Sequence, residues 1–323
     1  MLESVISDSV VAVLAVLGIY ATLNYLIVNC RTPVGILCNY FATRRVSFPE
    51  RYGPWAVITG SSDGIGKQYA FNLAAKGMNV MLISRTESKL VEIAKEITTK
   101  YPVQVKWLAV DFSEGFKLYD KIEVALAGLD IGILVNNVGM AHEHPLEFEK
   151  ICLRELEHII QVNMGATVMM TRIVLPEMKR RDRGLVVNVS SSAGLNHLPY
   201  LSMYAATKAF LNSFSRALKE ELFFTNVHCQ LVIPMFVLTN INAEWETVWW
   251  WAMIATNVEK FTRSAVGTIG RSGVTAGYWA HEIQIALIRL MPGWLFAKMF
   301  YCICQPFKKQ PDGKPVIKIN NNY

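Results

Sequence analysis

Two patterns of apolar and polar residues divide this chain. Between Asp8 and Arg31 no residue is charged. At about 1.5 Å of rise per residue, a helix of that length spans a hydrocarbon core of roughly 30 Å. Glu3 and Asp8 stand at the start, with no Lys or Arg there, which is not the basic opening of a signal peptide. A membrane anchor over residues 1–30 is therefore expected. Arg31, Arg44, Arg45 and Arg51 follow it. The positive-inside rule then leaves the rest of the chain on the cytosolic side. Residues 31–53 read as a linker.

From Trp55 the pattern changes to strand and helix in alternation. WAVIT, NVMLIS, QVKWLAVD, IGILVNN, GLVVNVSS and HCQLVIP are short apolar runs, each closed by a polar or Gly-containing loop. Helical stretches are predicted between them, over Lys67–Lys76, Glu87–Lys100, Phe116–Ala127, Leu153–Lys179 and Tyr204–Phe224. Continuous apolar strands alternating with helices predict an α/β fold, a parallel sheet covered on both faces. This unit is placed at residues 54–280. Within its later part, Trp245, Trp249, Trp250 and Trp251 crowd one segment, either as a buried cluster or as a lid or interfacial patch. The run Ile283–Phe307 is apolar but broken by Arg289 and Pro292. It reads as an amphipathic extension against a membrane (residues 281–307), with a loose polar tail over 308–323.

Composition fits this division. Hydrophobic residues make up 52% and charged residues 18% of 323, against about 25% charged in an average soluble domain. That excludes a disordered chain. Six Cys are sparse and scattered. Cys302 and Cys304 form the one close pair, without the nearby ligands a zinc site requires. Free thiols and no metal are expected. The formal charge of +6 is mild; it does not indicate nucleic acid and suits an anionic cofactor or membrane surface.

The first strand runs into Thr59-Gly60-Ser61-Ser62-Asp63-Gly64-Ile65-Gly66-Lys67, with glycines spaced G-x-x-x-G-x-G ahead of a helix. A pyrophosphate must approach backbone N–H groups at a helix N-terminus, where Cβ atoms would block it. The second strand ends at Ser84-Arg85, with no acidic residue before Glu87. An acid near that point would take the ribose 2′-hydroxyl, whereas the Arg85 fork suits a 2′-phosphate. NADP(H) is therefore the expected cofactor. Asp111, closing the third strand, would either bond an adenine amino group or cap the next helix.

Asn136-Asn137-Val138-Gly139 follows the fourth strand and Ser190-Ser191-Ser192 the fifth; Tyr204-Ala205-Ala206-Thr207-Lys208 opens a helix. Tyr204 and Lys208 share one helix face a turn apart. A phenol with a pKa near 10 is a poor acid at pH 7, and a nearby ammonium favours its ionisation. Tyr204 is thus a candidate proton donor to a carbonyl, with a strand-end serine to hold the oxygen. His142, Glu143 and His144 lie in the loop after Gly139, where they would meet a polar group of the substrate or form a solvated loop.

The glycine loop, the Asn-Asn-Val-Gly segment, Asn163, Ser191 and the Tyr204…Lys208 pair resemble the short-chain dehydrogenase/reductase family, in order and at its spacing from Pro54 to Thr239. The resemblance implies a single Rossmann-type doubly wound parallel sheet that carries its substrate site within the same unit, and a catalytic tetrad of Asn163, Ser191, Tyr204 and Lys208, with Asn163 binding a water that links Lys208 to solvent. It implies cofactor contacts from Gly60, Ser62, Asp63, Gly64, Ile65, Gly66, Arg85, Asp111, Asn137, Gly139, Tyr204, Lys208 and Thr239.

The segments RYGPWAVITG, DGIGK, LISR, NNVGM and GYWAH, with the N-terminal anchor, are similar to a narrower subgroup. It comprises the membrane-bound 17β-hydroxysteroid dehydrogenases, the very-long-chain 3-oxoacyl-CoA reductases and the hydroxysteroid dehydrogenase-like proteins. Some of these lack the catalytic tyrosine, which this chain keeps. The subgroup implies reduction of a ketone on a lipid-like substrate (a 3-oxoacyl-CoA or a 17-ketosteroid) at the endoplasmic reticulum membrane, and allows a homodimer. The alternative is a catalytically silent, membrane-anchored binding or scaffold protein. One departure stands out: Met235 follows Pro234, where family members often have Gly.

Overall fold

A computed structural model describes residues 9–23, 35–36, 39–40, 47–142, 144–239 and 255–305. The Trp245–Trp251 cluster, Glu143 and the tail from Lys308 lie outside them. The chain divides into two compact units, Met1–Thr43 and Arg44–Tyr323. In the first, helix α1 (Ser9–Leu23) is apolar along its described length, and its large side chains are all exposed.

The second unit is built on a seven-stranded sheet in the order β3-β2-β1-β4-β5-β6-β9. The strands are β1 (Trp55–Thr59), β2 (Asn79–Ser84), β3 (Val105–Ala109), β4 (Ile131–Asn136), β5 (Gly184–Val189), β6 (Val227–Val232) and β9 (Val274–Thr275). Every neighbouring pair is parallel. The order reverses between β1 and β4, opening a crevice at the carboxyl ends of those strands. A separate two-stranded pairing joins β7 (Val237–Leu238) to β8 (Thr256–Asn257).

The helices are α2 (Phe48–Tyr52), α3 (Gly64–Ala74), α4 (Glu87–Lys100), α5 (Leu118–Leu126), α6 (Leu153–Ile160), α7 (Ala166–Arg180), α8 (Ser202–Glu221), α9 (Val258–Gly267), α10 (Trp279–Leu290) and α11 (Gly293–Cys304). Side chains alternate across a strand, so the sheet feeds two cores. Ile58, Leu82 and Val135 pack with Leu73, Ile97 and Phe261 on one face. Val57, Ile83 and Leu134 pack with Ile122, Met170 and Val174 on the other. The six expected strand runs coincide with β1–β6. Three differences are physical. β3 is an edge strand and leaves Trp107 exposed. α2, inside the expected linker, buries Phe48 and Tyr52 in the first core. The single helix expected over Leu153–Lys179 carries a π-helical turn at Gln161–Gly165.

Candidate active site

The glycine loop joins β1 to α3. Gly60 has φ +65°, a left-handed conformation in which a Cβ would be strained and would meet Val138 Cα at 2.9 Å. A Cβ at Gly66 would overlap the Gly60 carbonyl oxygen and meet Asn137 Nδ2 at 2.5 Å. Asp63 caps α3, its Oδ1 accepting from Gly64 N–H at 2.7 Å. Asn137 spans the loop by donating from Nδ2 to the carbonyls of Thr59 (3.1 Å) and Gly60 (3.2 Å). Thr239 lies against Gly64, its Cγ2 3.4 Å from where a Gly64 Cβ would sit.

A cleft of about 870 Å³ opens above this loop, and Ile65, Arg85, Asp111, Gly139 and Thr239 line it. Arg85 is exposed and 3.7 Å from Asp111. Asp111 caps the following short turn, accepting from the Ser113 N–H (2.9 Å) and hydroxyl (2.8 Å). Partial burial pushes its carboxyl up, but the Ser113 bonds and the charges of Arg85 and His158 outweigh that and hold it below the usual range. Ser62 and Ser84 hydroxyls pair at 2.8 Å. Lys89 also lines the cleft. Sequence reading missed it, although it stands in the first turn of α4, four residues beyond Arg85. The residues fit a dinucleotide: Gly60 and Gly66 let the turn close tightly against Asn137 and Val138 with Gly64 and Ile65 lining the cleft, and two cations, Arg85 and Lys89, line it as well.

Ser191, Tyr204 and Lys208 line the same cleft. Ser190 and Ser191 differ in what holds them. The Ser190 hydroxyl donates to the Lys208 carbonyl at 3.1 Å, whereas Ser191 hydrogen-bonds Tyr204 and accepts from Ala193 N–H at 3.1 Å. Lys208 is buried, donates from Nζ to the Val189 carbonyl at 3.3 Å and lies 5.7 Å from the Tyr204 ring centroid. Burial pulls its ammonium down to about 8. The expected ease of ionising Tyr204 meets an opposing effect. Burial raises this phenol above its ordinary value, and the Ser191 bond offsets that only in part.

Asn163 sits in the π-helical turn, buried. Its Oδ1 accepts from Met140 N–H at 2.8 Å. Its Nδ2 donates to the Met140 carbonyl and to Thr207 Oγ1, both at 2.9 Å. The π turn breaks the helical period at that position, which lets a buried amide reach sideways to the loop after β4. His142 is not solvated: its side chain is buried, with Nδ1 2.8 Å from Glu155 Oε1, and it lines the cleft with its Nε2 without a hydrogen-bond partner. Met235 donates its N–H to Nδ1 of His281, at 3.4 Å. Burial pushes this histidine down to about 4, against hydrogen bonds to the Ala276 and Phe236 backbone. The remaining wall is apolar, from Met140, Pro145, Leu198, Leu201, Met235 and Phe300. Phe300 comes from α11, nearly a hundred residues beyond Tyr204, so no local pattern marks it.

Residues 54–248 match the family model described as short chain dehydrogenase. Human inactive hydroxysteroid dehydrogenase-like protein 1 is 37% identical over 278 residues, covering 83% of this chain and 84% of its own length. Bovine very-long-chain 3-oxoacyl-CoA reductase is 41% identical over 249 residues, covering 76% and 78%. Among solved structures, a 7β-hydroxysteroid dehydrogenase superposes with a TM-score of 0.73 at 25% identity, over 79% of this chain and 100% of that one. A short-chain dehydrogenase from Sphingobium yanoikuyae in complex with NADPH gives 0.63 at 30% identity, over 69% and 87%.

Proposed function

The chain belongs to the short chain dehydrogenase family and is an NADP-dependent oxidoreductase, and from that premise we propose that it reduces a ketone on a lipid-like substrate. What carries this reading is one cleft lined by Ser191, Tyr204 and Lys208, by the cations Arg85 and Lys89, and by apolar side chains that include Met140 and Phe300. Bound NADPH supplies the hydride for the carbonyl carbon.

Ser191 orients the ketone oxygen through its hydroxyl, and Tyr204 delivers a proton to that oxygen as charge develops there. The raised pKa of Tyr204 keeps it protonated, as a proton donor must be. Lys208 places a cation below the phenol and holds the nicotinamide ribose. Asn163 fixes the loop after β4 and holds the water through which Lys208 reaches solvent. Gly60 to Gly66 receive the pyrophosphate, Arg85 the 2′-phosphate, and Asp111 the adenine amino group. The substrate is a 3-oxoacyl-CoA or a 17-ketosteroid, both long and apolar. The segment through α1 anchors the protein in the endoplasmic reticulum membrane with the second unit on the cytosolic side, and residues 281–307 lie against that membrane.

The test is NADPH oxidation by purified membranes across 3-oxoacyl-CoA chain lengths and ketosteroids. Tyr204→Phe is expected to lower the rate by about 100-fold or more. No reduction of any ketone, with wild type and variant alike, would overturn the reading.

A second reading is favoured by the human relative named as inactive: a membrane-anchored protein that binds NADPH without turnover. NADPH binding with no ketone reduced, together with a stable protein partner in pull-down, would favour it.

A further inference from the structure

α11 is apolar around most of its circumference, with Lys298 its one charged residue. Phe296, Phe300 and Cys304 pack against Ala193, Leu198 and the start of the Tyr204 helix. Trp294, Leu295 and Met299 are exposed, Trp294 by 64%. α10 meets α11 at a bend of 112° and adds exposed Ile283, Leu287 and Leu290. A contiguous exposed apolar patch marks an interaction surface.

Charge on these helices has one sign outward. Arg289 and Lys298 are both exposed, with the Lys298 ammonium 5.5 Å from the Trp294 ring centroid. The single acidic residue between Trp279 and Gln305 is Glu282. It accepts from the Ala276 N–H at 2.7 Å and the Thr275 hydroxyl at 3.2 Å. Apolar side chains edged by cations and an interfacial Trp complement an anionic bilayer surface.

The inner side of the same helix is part of the active site. Phe300 lines the cleft. The Tyr301 ring lies 5.2 Å from that of Tyr200, and Gln305 Nε2 is 2.9 Å from the Tyr200 hydroxyl. Tyr200 has φ +68°, a conformation a bulky residue adopts only under local constraint. Its carbonyl accepts from Leu146 N–H at 3.1 Å. Helix α11 therefore closes the cleft and steadies the loop that leads into Tyr204.

We propose that the outer face of α10 and α11 docks on a bilayer containing anionic lipid, and that the lipid-like ketone passes from that bilayer into the cleft beside Phe300. The identity of the ketone rests on the reductase reading; the docking face does not. The test uses the full chain in vesicles of phosphatidylcholine and phosphatidylserine doped with a carbene-forming phospholipid. Adducts mapped by mass spectrometry are expected on the peptide from Leu287 to Met299. Their absence, or cross-links there to a second copy, would overturn the proposal.

A second probe is a long-chain ketone with a carbene precursor at its chain end, applied with NADPH. It is expected to label the Phe300 peptide. The paired variant Leu287→Asp/Trp294→Asp should cut that labelling at least 10-fold while keeping NADPH binding, which reports that it folds. Undiminished labelling would overturn the route from the bilayer. Neither map requires turnover, so a chain that reduces no ketone would sink the reductase reading and leave docking decided on its own.

Discussion

Asn163 holds Met140 by both main-chain groups, accepting from its N–H at 2.8 Å and donating to its carbonyl at 2.9 Å. The same amide donates to Thr207 Oγ1, one residue before Lys208. A side chain in the π turn thus ties the loop after β4 to the helix that carries Tyr204 and Lys208. Asn163→Ala would strand the half-buried Met140 groups, at a cost of about 1–3 kcal/mol. Denaturant melts should show that loss, and kcat should fall more than NADPH affinity does.

Lys208 combines function with a stability cost. Its ammonium titrates near 8 in the folded chain, against 10.5 ordinarily, because it is buried. The native state therefore binds fewer protons than the unfolded state between those values. Stability falls as pH drops from 10.5 to 8, and the cost is full below 8. Lys208→Met should abolish reduction yet stabilise the fold at pH 7, by up to about 3 kcal/mol before the lost Val189 bond is counted. The wild-type rate of reduction should decline as pH rises through about 8 and the cation is lost. Thermal melts and a pH–rate profile check the two effects.

Arg85 and Lys89 line the cleft just after β2 and in the first turn of α4. Both are solvent-exposed, so their worth lies in charge-assisted bonds to a ligand rather than in stability. Arg85→Ala should reduce the preference for NADPH over NADH by about 10-fold, with Lys89→Ala weaker in the same direction. The ratio of kcat/KM with the two cofactors is the measurement, and an unchanged ratio would refute the assignment.

His281 sits behind Met235 and titrates near 4, because burial opposes the imidazolium. An unfolded histidine takes its proton near 6.5. Its contribution to stability is thus complete above about 6.5 and lost as pH falls toward 4. Between pH 7.5 and 5 the wild type should lose about 2 kcal/mol more than His281→Gln. Urea denaturation at the two pH values gives both numbers.

Much of the fold was legible because its signals are local. A strand buried on both faces is a short apolar run wherever it lies, and β1, β2, β4, β5 and β6 read as such. The glycine loop and the Tyr204–Lys208 spacing are equally local, since one turn of helix sets their geometry. β9 and the β7–β8 pair escaped notice because two residues carry no periodicity. The π turn at Gln161–Gly165 escaped because apolar spacing continues across it.

By itself the sequence determined the layered fold, the cofactor loop and the residue types of the acid–base pair. The resemblance already pointed to Ser191; the tertiary structure supplied the physical reason, since the neighbouring hydroxyl of Ser190 is taken by the Lys208 carbonyl. It alone decided that His142 is bound to Glu155, that Met235 leans on His281, and that Phe300 walls the cleft. These are contacts between residues far apart along the chain. Their distances follow from how sheet, loops and C-terminal helices pack together, and no spacing in the sequence encodes that.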